Sequence, residues 1–115
     1  MKVRVYRNLK NGLWSIVAME GARKGYLLGH ASHVSISGCT FQVRESRRQA
    51  ICKGHYREVH AWVIGHLVEV PVSPAAREFT YNPHRAPTFT DRETGAPVTT
   101  AQTCWFTADQ KAFAL

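Results

Sequence analysis

Five cations, Arg44, Arg47, Arg48, Lys53 and Arg57, fall within fourteen residues and are answered there only by Glu45. Glu58 follows directly, and His55 and His60 sit at the C-terminal end of the run. A guanidinium donates two parallel hydrogen bonds from a planar fork, which matches a phosphate or a carboxylate. Clustered in this way, the cations fit an anionic partner, and nucleic acid is the commonest one. Tyr56 lies among them and could stack on an unpaired base. Arg47 and Arg48 fall in the first turn of a predicted helix, where a cation opposes the helix dipole but a bound phosphate would be welcome. The competing structural reading is a solvated helix face with Arg44, Glu45 and Arg48 pairing among themselves.

A second chemistry is suggested by six histidines, His30, His33, His55, His60, His66 and His84. Metal-independent RNA cleavage needs a base for the 2′-hydroxyl, an acid for the leaving oxygen and a cation for the charged transition state. His60 with His55 or His84, together with Tyr81 and Arg85 from the run Tyr-Asn-Pro-His-Arg, would supply such a set. A single histidine on a strand is more often a packed or hydrogen-bonded residue. Metal ligation is the weaker reading. His30 and His33 precede Cys39, and Cys52 is three residues from His55, but there is no CxxC pair or HExxH motif. The expectation is therefore no metal and no cofactor. No phosphate-cradling glycine loop, serine-triad motif or pair of catalytic carboxylates is present.

The elements that must position these residues read mostly as strands. Val3 and Val5 alternate with Lys2, Arg4 and Tyr6, and Asn11-Gly12 signals a hairpin whose return strand runs from Leu13 to Ala18. Trp14 and Ile16 share one side of that strand. Further strands are predicted at 26–28, 34–36 and 41–43, the last two separated by a corner at 37–40. Ser46 and Gln49 fit a capping box, so one short helix is predicted near 46–54, with Ala50 and Ile51 inward and Arg47 and Arg48 more exposed. The stretch 58–70 is the longest strand candidate. Its apolar groups lie on both faces, as expected of a central strand, and Gly65 marks a bulge or bend. Phe79–Tyr81 and Thr88–Thr90 follow, and a last hairpin pairs 104–106 with 112–114. Trp62 and Phe79 are expected in the core, since a domain of this size needs large buried groups. The sum is a β-rich α+β domain, a twisted antiparallel sheet packed on one small helix.

The chain has 115 residues, 44% of them hydrophobic, which suits one domain spanning 1–115 with one core. Its net charge of +7 would attract phosphates. Three cysteines with no CxxC pair argue against a disulfide framework and for a reducing compartment. No apolar signal core opens the chain, and no window approaches the roughly 18 apolar residues of a membrane span. A soluble, cytoplasmic protein without a membrane partner is expected.

The chain resembles a group of small phage and prophage accessory proteins. The resemblance rests on VRVYRNL near the start, LWSI after the first turn, FQVRESRRQAICKGHYREVHAWVIGHL in the middle and YNPHRAPTFTDRETGAPV toward the end. In that setting small proteins often antagonise host defence. Anti-CRISPR proteins do so by occupying a nucleic-acid channel or a nucleoprotein surface. The basic cluster points to a binder of nucleic acid or of a nucleoprotein complex through Arg44, Arg47, Arg48, Lys53, Tyr56 and Arg57, and the resemblance adds a setting, the bacterial host cell, in which such a binder would inhibit host defence. The alternatives are the ribonuclease outlined above and an inhibitor that binds an acidic protein surface through the same arginines.

Overall fold

The computed structural model describes residues 1–8, 12–52, 59–82 and 85–115. Alternation sets the first hairpin. Strand β1 (Lys2–Arg7) points Val3 and Val5 inward at zero exposure, and β2 (Trp14–Ala18) returns with Trp14 and Ala18 on the same side. Gly12 has a φ of +69°, which only glycine adopts without penalty, as the hairpin signal requires. Asn11 lies outside the described residues.

The remaining strands are β3 (Leu27–Ala31), β4 (Val34–Val43), β5 (Ala61–Val68), β6 (Arg77–Tyr81), β7 (Phe89–Asp91), β8 (Thr100–Phe106) and β9 (Ala112–Ala114). All nine join one sheet in the order β3-β2-β1-β5-β4-β8-β9-β6-β7, every pairing antiparallel. β5 is central, as its two-sided apolar pattern predicts. The strands expected at 34–36 and 41–43 are one ten-residue strand. Gly38, with a φ of +62°, sits where the β4–β5 register shifts between Ser37 and Thr40, so the expected corner is a bulge that bends the strand without ending it. Gly65 faces that bulge across the ladder. A methyl there would lie 2.8 Å from the Ser37 carbonyl oxygen, so the glycine marks a close approach of two backbones.

The α+β expectation is overturned. Among the described residues the only helix is α1 (Glu45–Cys52), eight residues long, and the protein is nearly all β. The helix does not cover the sheet, because the sheet covers itself. Its β6–β7–β9 part folds back over β1, β4 and β5. Phe41 on β4 meets Phe79 and Phe89 edge-on at 5.2 and 5.0 Å, and Trp14 on β2 lies 4.7 Å from Phe106 and 6.1 Å from Tyr81. The Trp14 indole donates to the Thr107 carbonyl (2.9 Å), and Arg7 clips β1 to β6 by donating to the Tyr81 carbonyl (3.2 Å). Beyond β7, Thr90 bridges Pro97, and Phe41 N–H donates to Thr99 (3.0 Å), which carries the sheet nearly round to β4. The aromatic core therefore fills the concave side, and the outer face of β1, β5 and β4 is convex.

The helix also begins earlier than its capping box predicts. Arg48 N–H donates to the Arg44 carbonyl (3.0 Å), so Glu45 is the first helical residue and Ser46 lies inside the turn. An acidic residue at that end is favoured by the dipole. Lys53 and Gly54, the expected C-terminal signals, lie outside the described residues.

Candidate nucleic-acid interface

With Val3 and Val5 facing the core, strand alternation turns Lys2, Arg4 and Tyr6 outward. The register fixes their neighbours: Lys2 pairs with His66 and Arg4 with Ile64 on β5. Across β5, Ile64 pairs with Thr40 and Trp62 with Gln42 on β4. Arg44 follows at the end of β4, its N–H donating to the His60 carbonyl (2.7 Å). Glu20 lies at its edge, its Oε1 accepting from the Lys2 backbone N–H (2.9 Å).

Trp62 is the centre of the face. Its indole is 4% exposed even though it lies on the side of β5 away from the aromatic core, and its N–H donates to Gln42 Oε1 (3.0 Å). Two guanidiniums cover it. The Arg4 carbon Cζ lies 4.8 Å and the Arg44 Cζ 5.4 Å from the ring centroid, within cation–π range. Neither arginine has an acidic partner among the described residues. Arg4 Nε is buried without an acceptor. Its guanidinium is thus placed by the ring beneath it, and no acidic side chain among the described residues pairs with it.

The sequence-predicted binding residues fare unequally. Arg44 joins the Trp62 stack. Arg47, on the first turn of α1, is half-buried with interactions of its own. Arg48 was expected to be more exposed, yet its side chain is only 14% exposed and is ion-paired to Glu45. The same hydrogen bond from Arg48 holds the Glu45 carboxyl below the usual carboxylate range. Lys53, Tyr56 and Arg57 lie outside the described residues, as do His55 and His84.

Of the proposed acid–base set, Tyr81 sits in the core at 7% exposure, donating its hydroxyl to the Ala61 carbonyl, and burial raises its pKa far above the ordinary tyrosine value. His60 is 4% exposed. Arg85 is on the surface, its N–H donating to the Asn82 carbonyl (3.1 Å). Tyr81 is therefore packed where a substrate would not reach it. His30 bonds to the buried Ser15 hydroxyl (2.8 Å), His33 to Ser32 (3.2 Å), and Cys39 is a core residue whose thiol donates to the Ile36 carbonyl (3.3 Å). Among the described residues no group of three or more histidine, cysteine or acidic side chains gathers in metal-binding geometry.

Lys2, Arg4, Gln42 and the platform role of Trp62 escape a reading of the sequence. The alternation of Lys2 and Arg4 with two valines does signal outward cations. Only the strand order brings them against Trp62 and Arg44, some forty to sixty residues away.

The family described as Mycobacterium phage L5 gene 82 protein matches residues 1–114 of the chain. One relative, the Gene 82 protein of Mycobacterium phage L5, is 30% identical over 104 residues, 84% of this chain and 82% of the relative. No solved structure matches the chain. No helix among the described residues is long and apolar enough to cross a membrane.

Proposed function

The chain belongs to the family of the Mycobacterium phage L5 gene 82 protein, and we propose that it binds nucleic acid through the outer sheet face centred on Trp62. The observation that carries this reading is the pair of guanidiniums, Arg4 and Arg44, within cation–π range of one buried indole, with no acidic partner for either among the described residues. A guanidinium held over a ring can still offer terminal N–H donors to phosphate oxygens, and its position is fixed in advance, so less entropy is lost on binding. Lys2 and His66 extend the patch along β1 and β5, and Arg47 extends it onto α1, where Arg48 is taken up by Glu45. In a phage protein such a surface serves to mask nucleic acid or to occupy a nucleoprotein channel, and inhibition of a host-defence complex is one use of it.

Fluorescence anisotropy with a labelled oligonucleotide tests the proposal. If Lys2, Arg4, Arg44 and Arg47 each meet a phosphate, raising salt from about 50 to 200 mM weakens binding by roughly a hundredfold. The variants R4E and R44E should each bind less tightly and show a shallower salt slope. Absence of binding by folded protein at low salt, or R4E and R44E binding as the parent does, would remove the proposal. Cleavage of labelled RNA in EDTA would replace it by the hydrolytic reading.

A further inference from the structure

We propose that β3 is a docking edge for an extended, acidic segment of a partner protein, which adds to the nine-stranded sheet as a further strand. This surface is separate from the face centred on Trp62 and does not depend on the nucleic-acid reading. Its first support is the open edge. β3 ends the strand order and pairs only with β2. The opposite end is shielded: β7 has three residues, and beyond it Thr90 bridges Pro97 and the Phe41 N–H donates to Thr99. Among the described residues no backbone group of Leu27–Ala31 bonds to anything outside β2. Alternate N–H and C=O groups of an edge strand point away from its neighbour, so β3 offers half a ladder to another strand. Lysine, acidic residues and proline, which commonly blunt such an edge, are absent from its Leu-Leu-Gly-His-Ala run. A bulge against β2 between Ile16 and Val17 bends the start of the strand and leaves Gly29, His30 and Ala31 in regular register.

The second support is the charge beside the edge. The turn that leads into β3 carries Arg23 and Lys24, both exposed, and neither side chain has an acidic partner among the described residues. The turn is closed by its own backbone: Lys24 N–H donates to the Gly21 carbonyl (3.2 Å), Tyr26 N–H to Arg23 (2.9 Å) and Gly25 N–H to Ala18 (2.8 Å). Two cations are thus presented at a fixed place where the edge begins. No aspartate or glutamate occurs from residue 21 to residue 44, and Glu20, just before, accepts from the Lys2 N–H. Tyr26 is 65% and Leu27 44% exposed, which gives an added strand apolar area to cover. In strand addition the main-chain bonds supply affinity and the side-chain contacts supply specificity. The charge selects the occupant. A second copy brings the same cations and a net charge of +7 and is repelled, whereas an acidic strand is attracted. Nucleic acid has no row of peptide groups to pair with the edge.

Fluorescence anisotropy and amide hydrogen exchange test the proposal with a labelled peptide of alternating glutamate and valine. One control peptide has lysine in place of glutamate. The other is the acidic peptide with every amide N-methylated, which keeps the charge but cannot donate to an edge. The acidic peptide should bind at least about tenfold tighter than either control. When it is bound, the β3 amides that point away from β2 should exchange about tenfold more slowly or slower still. R23E combined with K24E changes only exposed side chains and should weaken the acidic peptide about tenfold. No binding of the acidic peptide, binding no tighter than a control, binding that leaves β3 exchange unchanged, or a charge-reversed variant that matches the parent overturns the proposal. Protection of β3 that grows with protein concentration alone would put a second copy on the edge and overturn it too. Protection by a DNA oligonucleotide equal to that by the peptide would do the same, by assigning the edge to nucleic acid.

Discussion

Replacing Trp62 by alanine probes the platform on which the candidate interface depends. A buried tryptophan cut to alanine costs about 3–5 kcal/mol. Trp62 lies on the outer face, where the aliphatic stems of Arg4 and Arg44 can settle into the gap, so the lower end, about 3 kcal/mol, is expected. That is affordable against a typical total of roughly 5–15 kcal/mol, and the variant should remain folded at room temperature. At roughly 4 °C per kcal/mol for a chain of this size, the melting midpoint falls by about 12 °C. Urea melts should give the same free-energy loss with an unchanged slope, as expected when the native state stays compact. The sharper measurement is a double-mutant cycle with R44A. If the guanidinium is held by the ring, R44A is less costly in the W62A background than in the parent by about 0.5–1 kcal/mol. W62F keeps a ring but removes the donor to Gln42, which is solvent-exposed and can turn to water, so the loss is smaller than for W62A. A midpoint shift under about 4 °C for W62A, below the equivalent of 1 kcal/mol, would refute the buried platform. An R44A cost identical in both backgrounds would refute the stack.

Two further outcomes follow from the fold. G65A places a methyl 2.8 Å from the Ser37 carbonyl oxygen and 3.1 Å from Ile36 Cβ, and a backbone oxygen cannot swing aside as a flexible side chain could. The β4–β5 ladder must shift, and urea melts should show a loss of about 1–3 kcal/mol, with unchanged stability counting against the close approach. Asp91 has its carboxyl held below the ordinary aspartate range, first by the Thr94 backbone N–H and then by the Arg77 guanidinium. With its folded pKa depressed, the carboxylate stabilises the protein above the unfolded value near 3.8, and that contribution is lost as pH falls through the folded value. D91N should therefore melt lower than the parent at neutral pH, with the gap closing in acid, and a gap that stays constant down to acid pH would exclude the linkage.

Local signals made much of the architecture legible. Asn11-Gly12 between alternating valines foretold the β1–β2 hairpin, the two-sided apolar run around Val63 foretold a central strand, and the last hairpin pairs Cys104–Phe106 with Ala112–Ala114 as expected. The fold class is not legible, because a short helix with a good cap looks like a second layer. Nothing in the spacing of Phe41, Phe79 and Phe89 reveals that they meet each other across a folded-over sheet. The continuity of β4 is hidden for a related reason: a glycine flanked by serine and cysteine suggests a corner, and only the pairing on both sides, to β5 and to β8, shows that the strand continues through it.

The candidate site was half legible, for a reason rooted in electrostatics. Charges close in sequence on a helix come with neighbours three and four residues away, and Glu45 meets Arg48 at that spacing, so part of the sequence cluster is answered locally. Charges brought together by sheet register carry no such local company. Arg4 alternates with valines, Arg44 follows a different strand, and what unites them is that β5 lies between β1 and β4 and carries a tryptophan on its outward side. An indole attracts both cations through its ring face without neutralising either, whereas a carboxylate in its place would anchor them and cancel the field. The order of three strands thus anchors two cations on a ring that does not neutralise them, the property on which the proposed interface rests.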